Sequence, residues 1–293
     1  MAKVMSLEDA ISKFVQDGST VLIGGTYMTD EPVAAAHEII RQGKKDLTLV
    51  LGEAACMVGD LLIGAGCVKK IVSSLLGFMR LKPIAPRYRR AIERCDLEVW
   101  EAEQNHVHAA LRAAAQGVPF MPTLSGVGCD YHKVNPDIKV LQDPFGDRTV
   151  NIVKAIEPDV TIVHTATSDD WGNAQHGGSL HYDILSCRAA KKVIVMTEQV
   201  VSYDHIRKNP DKTHVIGYNV AAVVEMPFGA YPSEGQACYR YDLDHYREYL
   251  RMAETDAGFE EYLDKYVRGK AHNDFLQLAA GTNKLLELQT GVH

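Results

Sequence analysis

The chain has 293 residues, of which 46% are hydrophobic and 24% charged, and its formal net charge is -7. This composition is that of a globular protein, and the acidic balance argues against partners that need a basic surface, namely nucleic acids and anionic membranes. No apolar run reaches the roughly 18 residues of a membrane span, and the N-terminal segment lacks a signal-peptide core, so we expect a cytoplasmic protein.

The predicted elements alternate between helices and short, unbroken apolar strands. A capping box at Ser6 begins the first helix, and Asp30 and Pro32 open the second. Strands are predicted over residues 20–23, 47–51, 68–75, 97–100, 160–165, 193–197 and 220–226, and further helices over 84–95 and 105–116. Unbroken apolar strands are buried on both faces. The pattern therefore predicts an open, mostly parallel, doubly wound α/β sheet with helices on both faces.

The character of the sequence changes from about Tyr239 onward, where it becomes charged, tyrosine-rich and helical in pattern. We see no linker, repeat or low-complexity stretch before this point. We therefore predict one α/β domain over residues 1–240, with residues 241–293 forming C-terminal helices packed on the same domain.

The loops that follow the strands are the candidate binding segments, because ligands of open parallel sheets bind at the carboxyl ends of the strands. These loops lie at 24–27, 52–55, 101–105 and 169–173. The pair Gly24 and Gly25 would let backbone N–H groups approach an anion or an oxyanion just before a helix, although a Gly-Gly turn is more often simply a tight turn.

Other common sites lack their sequence signatures. The patterns G-x-G-x-x-G, G-x-x-x-x-G-K-[ST] and G-x-S-x-G are absent. His106 and His108 stand at i, i+2 on a predicted helix and face different ways, and His176 and His181 have no third ligand at zinc-like spacing. The six scattered cysteines fit free thiols. We therefore predict no metal and no permanently bound cofactor.

A basic run is formed by Arg80, Lys82, Arg87, Arg89 and Arg90. It could contact a phosphate or a substrate carboxylate, but a run of this kind is more often a solvated helix face.

Motifs along nearly the whole chain resemble those of family I CoA-transferases, and above all the α subunit of glutaconate CoA-transferase. The segments are KVMSLEDAI…VLIGGT, RQGKKDLTLV, LLIGAGCVKKIV, LRAAAQGVPFMP, DVTIVH…DWGN and PFGAYPS. In the last of these, Tyr231 replaces the usual histidine. The order and spacing of these motifs over about 230 residues carry the resemblance, whereas no single motif decides it.

The resemblance implies an α-type subunit that works with a β-type partner, often as α2β2, with the active site between the two. It implies coenzyme A as a substrate, and a ping-pong reaction in which a glutamate of the partner becomes a CoA thioester. The α-type chain would contribute binding and oxyanion stabilisation.

The resemblance also places candidate site residues. Gly24 and Gly25 fall on the family's glycine pair after the first strand, and with the adjoining Thr26 they are predicted to bind substrate or CoA. Gln104 falls on a glutamine that contacts the CoA thioester region in the 3-oxoacid branch. As an alternative, it is a plain loop glutamine.

Two glutamates are candidate catalytic residues. Glu53 departs from the residues of the related branches and is either a second carboxylate in the cleft, acting as general base, or a loop or helix-capping glutamate. Glu103 and Glu101 both lie in the region where the related ring-opening hydrolases of steroid degradation use an α-subunit glutamate, and either of them is the matching residue.

Three functions follow as alternatives. The first is CoA transfer between short mono- or dicarboxylic acids. The second keeps the fold but changes the reaction to C–C hydrolysis of the ring-opening type, or decarboxylation, of a CoA thioester, and the third is a non-catalytic structural subunit of such a complex.

Overall fold

The strands of the main sheet are short and mostly parallel in the computed structural model, which describes residues 3–52 and 56–290. The strands are β1 (Thr20–Ile23), β2 (Leu47–Leu51), β3 (Val68–Val72), β4 (Glu98–Val99), β5 (Phe120–Thr123), β6 (Ile138–Gln142), β7 (Thr149–Lys154), β8 (Val160–Ser168), β9 (Ala174–Gln175), β10 (Val193–Val200), β11 (Thr213–Val215) and β12 (Val220–Glu225).

The order of the parallel strands reverses beside β1. Strands β1, β2, β3 and β4 follow one another on one side, while β8 pairs with the other side of β1 and is followed by β10 and β12. The short strands β9 and β11 join antiparallel at the carboxyl end of β8, and β5, β7 and β6 form a separate antiparallel sheet. The reversal between β1 and β8 is a topological switch point, where ligands of doubly wound sheets bind.

Helices connect the strands and follow the last of them. The helices are α1 (Leu7–Phe14), α2 (Val33–Arg41), α3 (Met57–Gly64), α4 (Pro86–Glu93), α5 (Gln104–Ala115), α6 (Tyr131–Val134), α7 (Asp183–Ala189), α8 (Tyr203–Lys208), α9 (Leu243–Ala253), α10 (Asp256–Tyr266), α11 (His272–Ala279) and α12 (Gly281–Thr290).

The sheet is buried on both faces, as its unbroken apolar strands predict. In β1, Val21 and Ile23 join the large apolar cluster that also contains residues of α1, α2 and α3, whereas Leu22 between them joins the cluster built on α5. Alternate side chains of one strand thus enter two different cores. The predicted doubly wound α/β class is confirmed.

The predicted bounds match best where the apolar run is short. Strands β1 and β2 coincide with the prediction, but β3 ends at Val72 rather than at residue 75. There Ser73 Oγ donates to the carbonyl oxygen of Leu75 at 2.9 Å, which turns the chain out of the sheet. The sequence pattern does not predict helix α3 or the antiparallel sheet β5–β7–β6.

The C-terminal helices pack through a layer of aromatic rings. Tyr246, Tyr249, Tyr262 and Tyr266 are each at most 1% exposed and belong to the same apolar cluster as β1 and β2. The hydroxyl of Tyr249 donates to Asp60 Oδ2 at 2.7 Å. The buried tyrosines therefore have polar as well as apolar ties to the strand-bearing part of the chain.

In the part of the chain that the structure describes, no helix is long and apolar enough to cross a membrane. All six cysteines are free thiols, as the sequence predicts.

The central position of β1 can be tested with a pair of leucine variants. Leu22→Ala should lower the free energy of unfolding by about 2–5 kcal/mol, because it empties a fully buried site in the core. Leu278→Ala, at a site that is 51% exposed, should change it by less than about 0.5 kcal/mol. Urea unfolding followed by circular dichroism measures both, and equal losses would contradict the burial of β1 between two helical layers.

Candidate functional site

The glycine turn after β1 lies at the switch point of the sheet, and its backbone donors have partners within the chain. The Gly24 N–H donates to the carbonyl oxygen of Ile162 at 2.8 Å, and the Gly25 N–H donates to Asp183 Oδ1 at 3.0 Å. Thr26, which is 4% exposed, donates its N–H to the carbonyl oxygen of Thr29 at 2.9 Å. The turn is therefore held in its shape by the protein itself.

Both glycines are required by their surroundings. A Cβ on Gly24 would lie 2.6 Å from Asp183 Oδ1, and a Cβ on Gly25 would lie 2.5 Å from the carbonyl oxygen of Asp30. Gly25 also has a φ of +78°, in the left-handed region that disfavours side chains. The pair thus lets this turn approach Asp183 and the backbone of Asp30 closely, while its predicted approach to an anionic ligand stays a prediction.

Gln104, which is also a predicted site residue, lies at the first position of α5 beside the end of β2. Its Nε2 lies 2.7 Å from the Gly52 carbonyl oxygen, which is also 2.7 Å from His108 Nε2. Ser74 Oγ, after β3, donates to Gln104 Oε1. Gln104 therefore ties together the ends of β2 and β3, with its amide committed on both sides.

Glu103 is the N-cap of α5, and its N–H lies 3.4 Å from His106 Nδ1. Its Oε2 accepts from Asn105 Nδ2 at 3.5 Å, while Oε1 is buried and takes no hydrogen bond from the described residues. Glu101 is exposed. Glu53 lies outside the described residues, so its predicted roles stay predictions.

A residue pair that the sequence does not single out joins the glycine turn after β1 to a second glycine turn, by which we mean the bend at Gly52 after β2. Tyr182 and Asp183 stand at the start of α7. Asp183 is 1% exposed and holds Gly25, and its Oδ2 accepts from His176 Nε2 at 3.2 Å. The Tyr182 ring stacks on His108 with the ring centroids 3.4 Å apart. Their position after a glycine-rich loop gives no periodic signal that would mark them.

Beneath the glycine turn lies a buried ionic network centred on His164 in β8. Its Nδ1 donates to Asp30 Oδ1 at 3.1 Å and its Nε2 to Glu198 Oε1 at 2.7 Å. Glu198 also accepts from the backbone N–H of Phe228 at 2.7 Å and from the hydroxyl of Tyr239 at 2.9 Å. The network joins the loop after β1, the strands β8 and β10, and the PFGAYPS turn.

Hydrogen bonds within this network change the pKa values of its members. Burial opposes the charged imidazolium, but the hydrogen bonds and charges of Asp30 and Glu198 prevail and raise the pKa of His164 to about 10. The hydrogen bond from His164 lowers the pKa of Asp30 against the effect of burial. His164 is therefore a buried cation between two carboxylates at neutral pH.

Glu31, next along the chain, closes the N-terminus of α3. Its carboxylate oxygens accept from the backbone N–H groups of Cys56 at 2.9 Å and Met57 at 3.3 Å. Burial raises the pKa of Glu31 to about 7, although these hydrogen bonds favour its charged form. The backbone N–H groups at the N-terminus of α3 thus donate to a side chain of the protein itself.

Arg87, a member of the basic run, is 8% exposed. It forms an ion pair within the protein, which differs from both predictions for the run, a ligand contact and a solvated helix face. Its Nη2 donates to Asp256 Oδ1 at 2.7 Å, and Arg90 lies 3.5 Å from the same carboxylate. Lys82 pairs with Glu254. Three members of the run thus bind the C-terminal part of the chain, whereas Arg89 pairs with Glu93 on the exposed face of α4, as a solvated helix face predicts. Within residues 3–52 and 56–290, no group of three or more His, Cys, Asp or Glu side chains is placed to hold a metal ion.

Comparison with known proteins decides the family. Residues 4–226 match the model of the coenzyme A transferase family. The chain belongs to the coenzyme A transferase family. It is 32% identical to the A-type subunit of glutaconate CoA-transferase from Acidaminococcus fermentans, over 99% of this chain and 95% of that one. It is 35% identical to the A-type subunit of 3-oxoadipate CoA-transferase from Pseudomonas knackmussii, over 96% of this chain and 98% of that one.

Solved and more distant relatives extend this picture. The crystal structure of glutaconate CoA-transferase from Acidaminococcus fermentans superposes with a TM-score of 0.93 at 30% identity, over 98% of this chain and 96% of that one. An uncharacterised protein of Archaeoglobus fulgidus is 37% identical over 98% of this chain, which spans 64% of that protein's length. The cholesterol ring-cleaving hydrolase IpdA subunit of Rhodococcus jostii is 28% identical over 91% of this chain and 92% of its own.

The pKa of His164 predicts how stability depends on pH. A group whose pKa rises from 6.5 to about 10 on folding contributes its full stability below pH 6.5 and loses it as the pH rises to about 10. The raised pKa of Glu31 also makes the free energy of unfolding fall as the pH rises, but only up to about pH 7. Burial also raises the pKa values of four thiols, which adds a further loss of stability as the pH approaches 9; they belong to Cys56, Cys67, Cys187 and Cys238. Between pH 7.5 and 9, His164 by itself should therefore contribute a fall of about 1.4 kcal/mol per pH unit in the free energy of unfolding.

Urea unfolding at several pH values measures this slope, with His164→Gln as the comparison. The variant should be less stable at pH 7, because it leaves two buried carboxylates without a cation. Because the thiols titrate alike in both proteins, the difference in stability between wild type and variant should also narrow by about 1.4 kcal/mol per pH unit between pH 7.5 and 9. A difference that stays constant over this range would assign the titration to another group.

Proposed function

We propose that this chain is the α-type subunit of a two-subunit CoA-transferase that moves CoA between short mono- or dicarboxylic acids. The observation that carries the proposal is the match to the A-type subunit of the glutaconate enzyme over nearly the full length of both chains, in sequence and in fold. The partner would be a β-type subunit, in an α2β2 assembly, and coenzyme A would enter as part of a substrate.

The proposed reaction has two symmetrical halves. A glutamate carboxylate of the partner attacks the carbonyl carbon of the acyl-CoA thioester and displaces CoA thiolate, which leaves an acyl-glutamyl anhydride. The thiolate then attacks the glutamyl carbonyl and releases the carboxylic acid, so that CoA remains as an enzyme thioester. The acceptor carboxylate repeats these steps in reverse and leaves with CoA.

Four acidic side chains around the described site already accept hydrogen bonds from this chain, which supports a nucleophile that is supplied by the partner. Asp183, Asp30, Glu31 and Glu198 each accept hydrogen bonds from backbone N–H groups of this chain. A carboxylate that is fixed in this way is poorly placed to attack a thioester, since the attack would break its own contacts. Gly24, Gly25, Thr26 and Gln104 would shape the surface against which the CoA thioester lies.

The first test is the reaction of the complex. This chain, co-expressed with a candidate β-type partner, should convert an acyl-CoA and acetate into acetyl-CoA and the free acid, and this chain alone should be inactive. Mass spectrometry should detect a CoA adduct on a glutamate of the partner. Free CoA without acetyl-CoA, and without any adduct, would contradict the transferase.

Gln104 provides a test of the site within this chain. Gln104→Ala should lower kcat/KM of the complex by about tenfold, or about 1.4 kcal/mol, because the Gly52 carbonyl and Ser74 lose the amide that joins them. Gln116→Ala removes the same side chain from the exposed end of the same helix and should leave kcat/KM unchanged. Equal losses in the two variants would remove Gln104 from the site.

A second candidate is hydrolytic cleavage of a C–C bond in the ring of a cyclic acyl-CoA, and the likeness to the cholesterol ring-cleaving hydrolase of Rhodococcus jostii favours it. The residue to examine is Glu103, because its Oε1 takes no hydrogen bond from the described residues. If the complex hydrolyses a cyclic CoA thioester, Glu103→Gln should abolish that activity, while Glu101→Gln should retain it. A fully active Glu103→Gln complex would exclude Glu103 as the general base.

A further inference from the structure

The start of α7 contacts both glycine turns of the candidate site. Asp183 fills the space beside the first turn, where its Oδ1 accepts the Gly25 N–H at 3.0 Å and lies 2.6 Å from the position of a Cβ on Gly24. A larger residue at position 24 would displace this carboxylate. Asp183 therefore fixes the shape of the first turn, because it accepts the Gly25 N–H and fills the space beside Gly24.

Tyr182, one residue earlier, fills the space beside the second turn. A Cβ on Gly52 would lie 3.2 Å from the Tyr182 Cβ and 3.5 Å from Ser186 Oγ. The Tyr182 ring lies nearly parallel to that of His108, at an interplanar angle of 17°, and His108 Nε2 is 2.7 Å from the Gly52 carbonyl oxygen. The bend at Gly52 is thus enclosed between His108 of α5 and Tyr182 at the start of α7.

We propose that Tyr182 and Asp183 form a clamp that fixes the two glycine turns relative to each other, and that Asp183 is thereby a positioning residue for the acyl-CoA. The proposal rests on the proposed function, since it concerns the same site. Reacting groups that move by about 1 Å can lose about a hundredfold in rate, so a clamp of this kind affects the rate beyond its effect on stability.

A purely structural role for Asp183 has a different signature. Truncation of any buried hydrogen-bonded carboxylate leaves its donors without a partner and so lowers the stability of the fold. Asp60 supplies a matched control, because it is 0% exposed and accepts from the Tyr88 N–H at 2.8 Å and from the Tyr249 hydroxyl at 2.7 Å. Asp60→Ala and Asp183→Ala should therefore lose similar stability but differ in everything that depends on the turns.

The variants Asp183→Ala, Asp183→Asn and Asp60→Ala are compared in the complex with the β-type partner. Hydrogen–deuterium exchange, read by mass spectrometry, should show faster exchange in Asp183→Ala at both 20–30 and 47–52, and in Asp60→Ala at neither. Asp183→Asn should exchange as the wild type does, because its amide oxygen still accepts from Gly25.

Kinetics complete the test. Asp183→Ala should lower kcat by about 10- to 100-fold with a smaller change in KM, while Asp183→Asn and Asp60→Ala stay within about threefold of the wild type. Exchange that rises only at 20–30, or evenly along the chain, would overturn the clamp, and so would an unchanged kcat in Asp183→Ala. If the wild-type complex transfers no CoA while exchange rises at both turns, the clamp stands and the proposed transferase fails.

Discussion

The imidazolium of His164 between Asp30 and Glu198 is the interaction on which the site region depends. It is fully buried, and its two partners come from the loop after β1 and from the end of β10. A buried charge stabilises a fold only when its partners are placed to satisfy it, so this ion triplet specifies the positions of three separate segments. Because Asp30 follows the glycine turn by five residues, the turn inherits its position from the triplet.

Backbone N–H groups lie at the edge of the sheet where the parallel strands have their carboxyl ends. Side-chain carboxylates of the protein accept hydrogen bonds from these groups. Asp183 takes the Gly25 N–H, Glu31 takes the N-terminus of α3, and Glu198 takes the N–H groups of the PFGAYPS turn. Each of these places would otherwise attract an anion. The edge is therefore preformed, and these backbone donors are already taken by the protein. In the proposed reaction, the phosphates of CoA would need donors elsewhere.

The sequence predicts this fold well because the strands carry their own signal. TVLI and LTLVL are unbroken apolar runs between helices, and their bounds match the structure. The loops do not carry such a signal. The sequence predicts only that Asp30 opens α2, but its carboxylate faces His164, which lies 134 residues further along the chain. Likewise, nothing local marks Asp183 as the partner of Gly25, because that contact exists only after β1 and β8 have paired.

The same commitments support the proposal that this chain provides half of a reaction centre. A nucleophilic carboxylate needs lone pairs directed at the substrate, whereas four carboxylates around the site direct theirs at backbone N–H groups of this chain, namely Asp183, Asp30, Glu31 and Glu198. Rigid turns of this kind suit a binding surface, since a surface that is fixed before the substrate arrives needs no reorganisation during the reaction. In the proposed transferase, the reacting carboxylate would stand opposite this surface, on the partner chain. The contacts described here support such a division of labour, because one fold cannot easily hold the same loop both fixed and reactive.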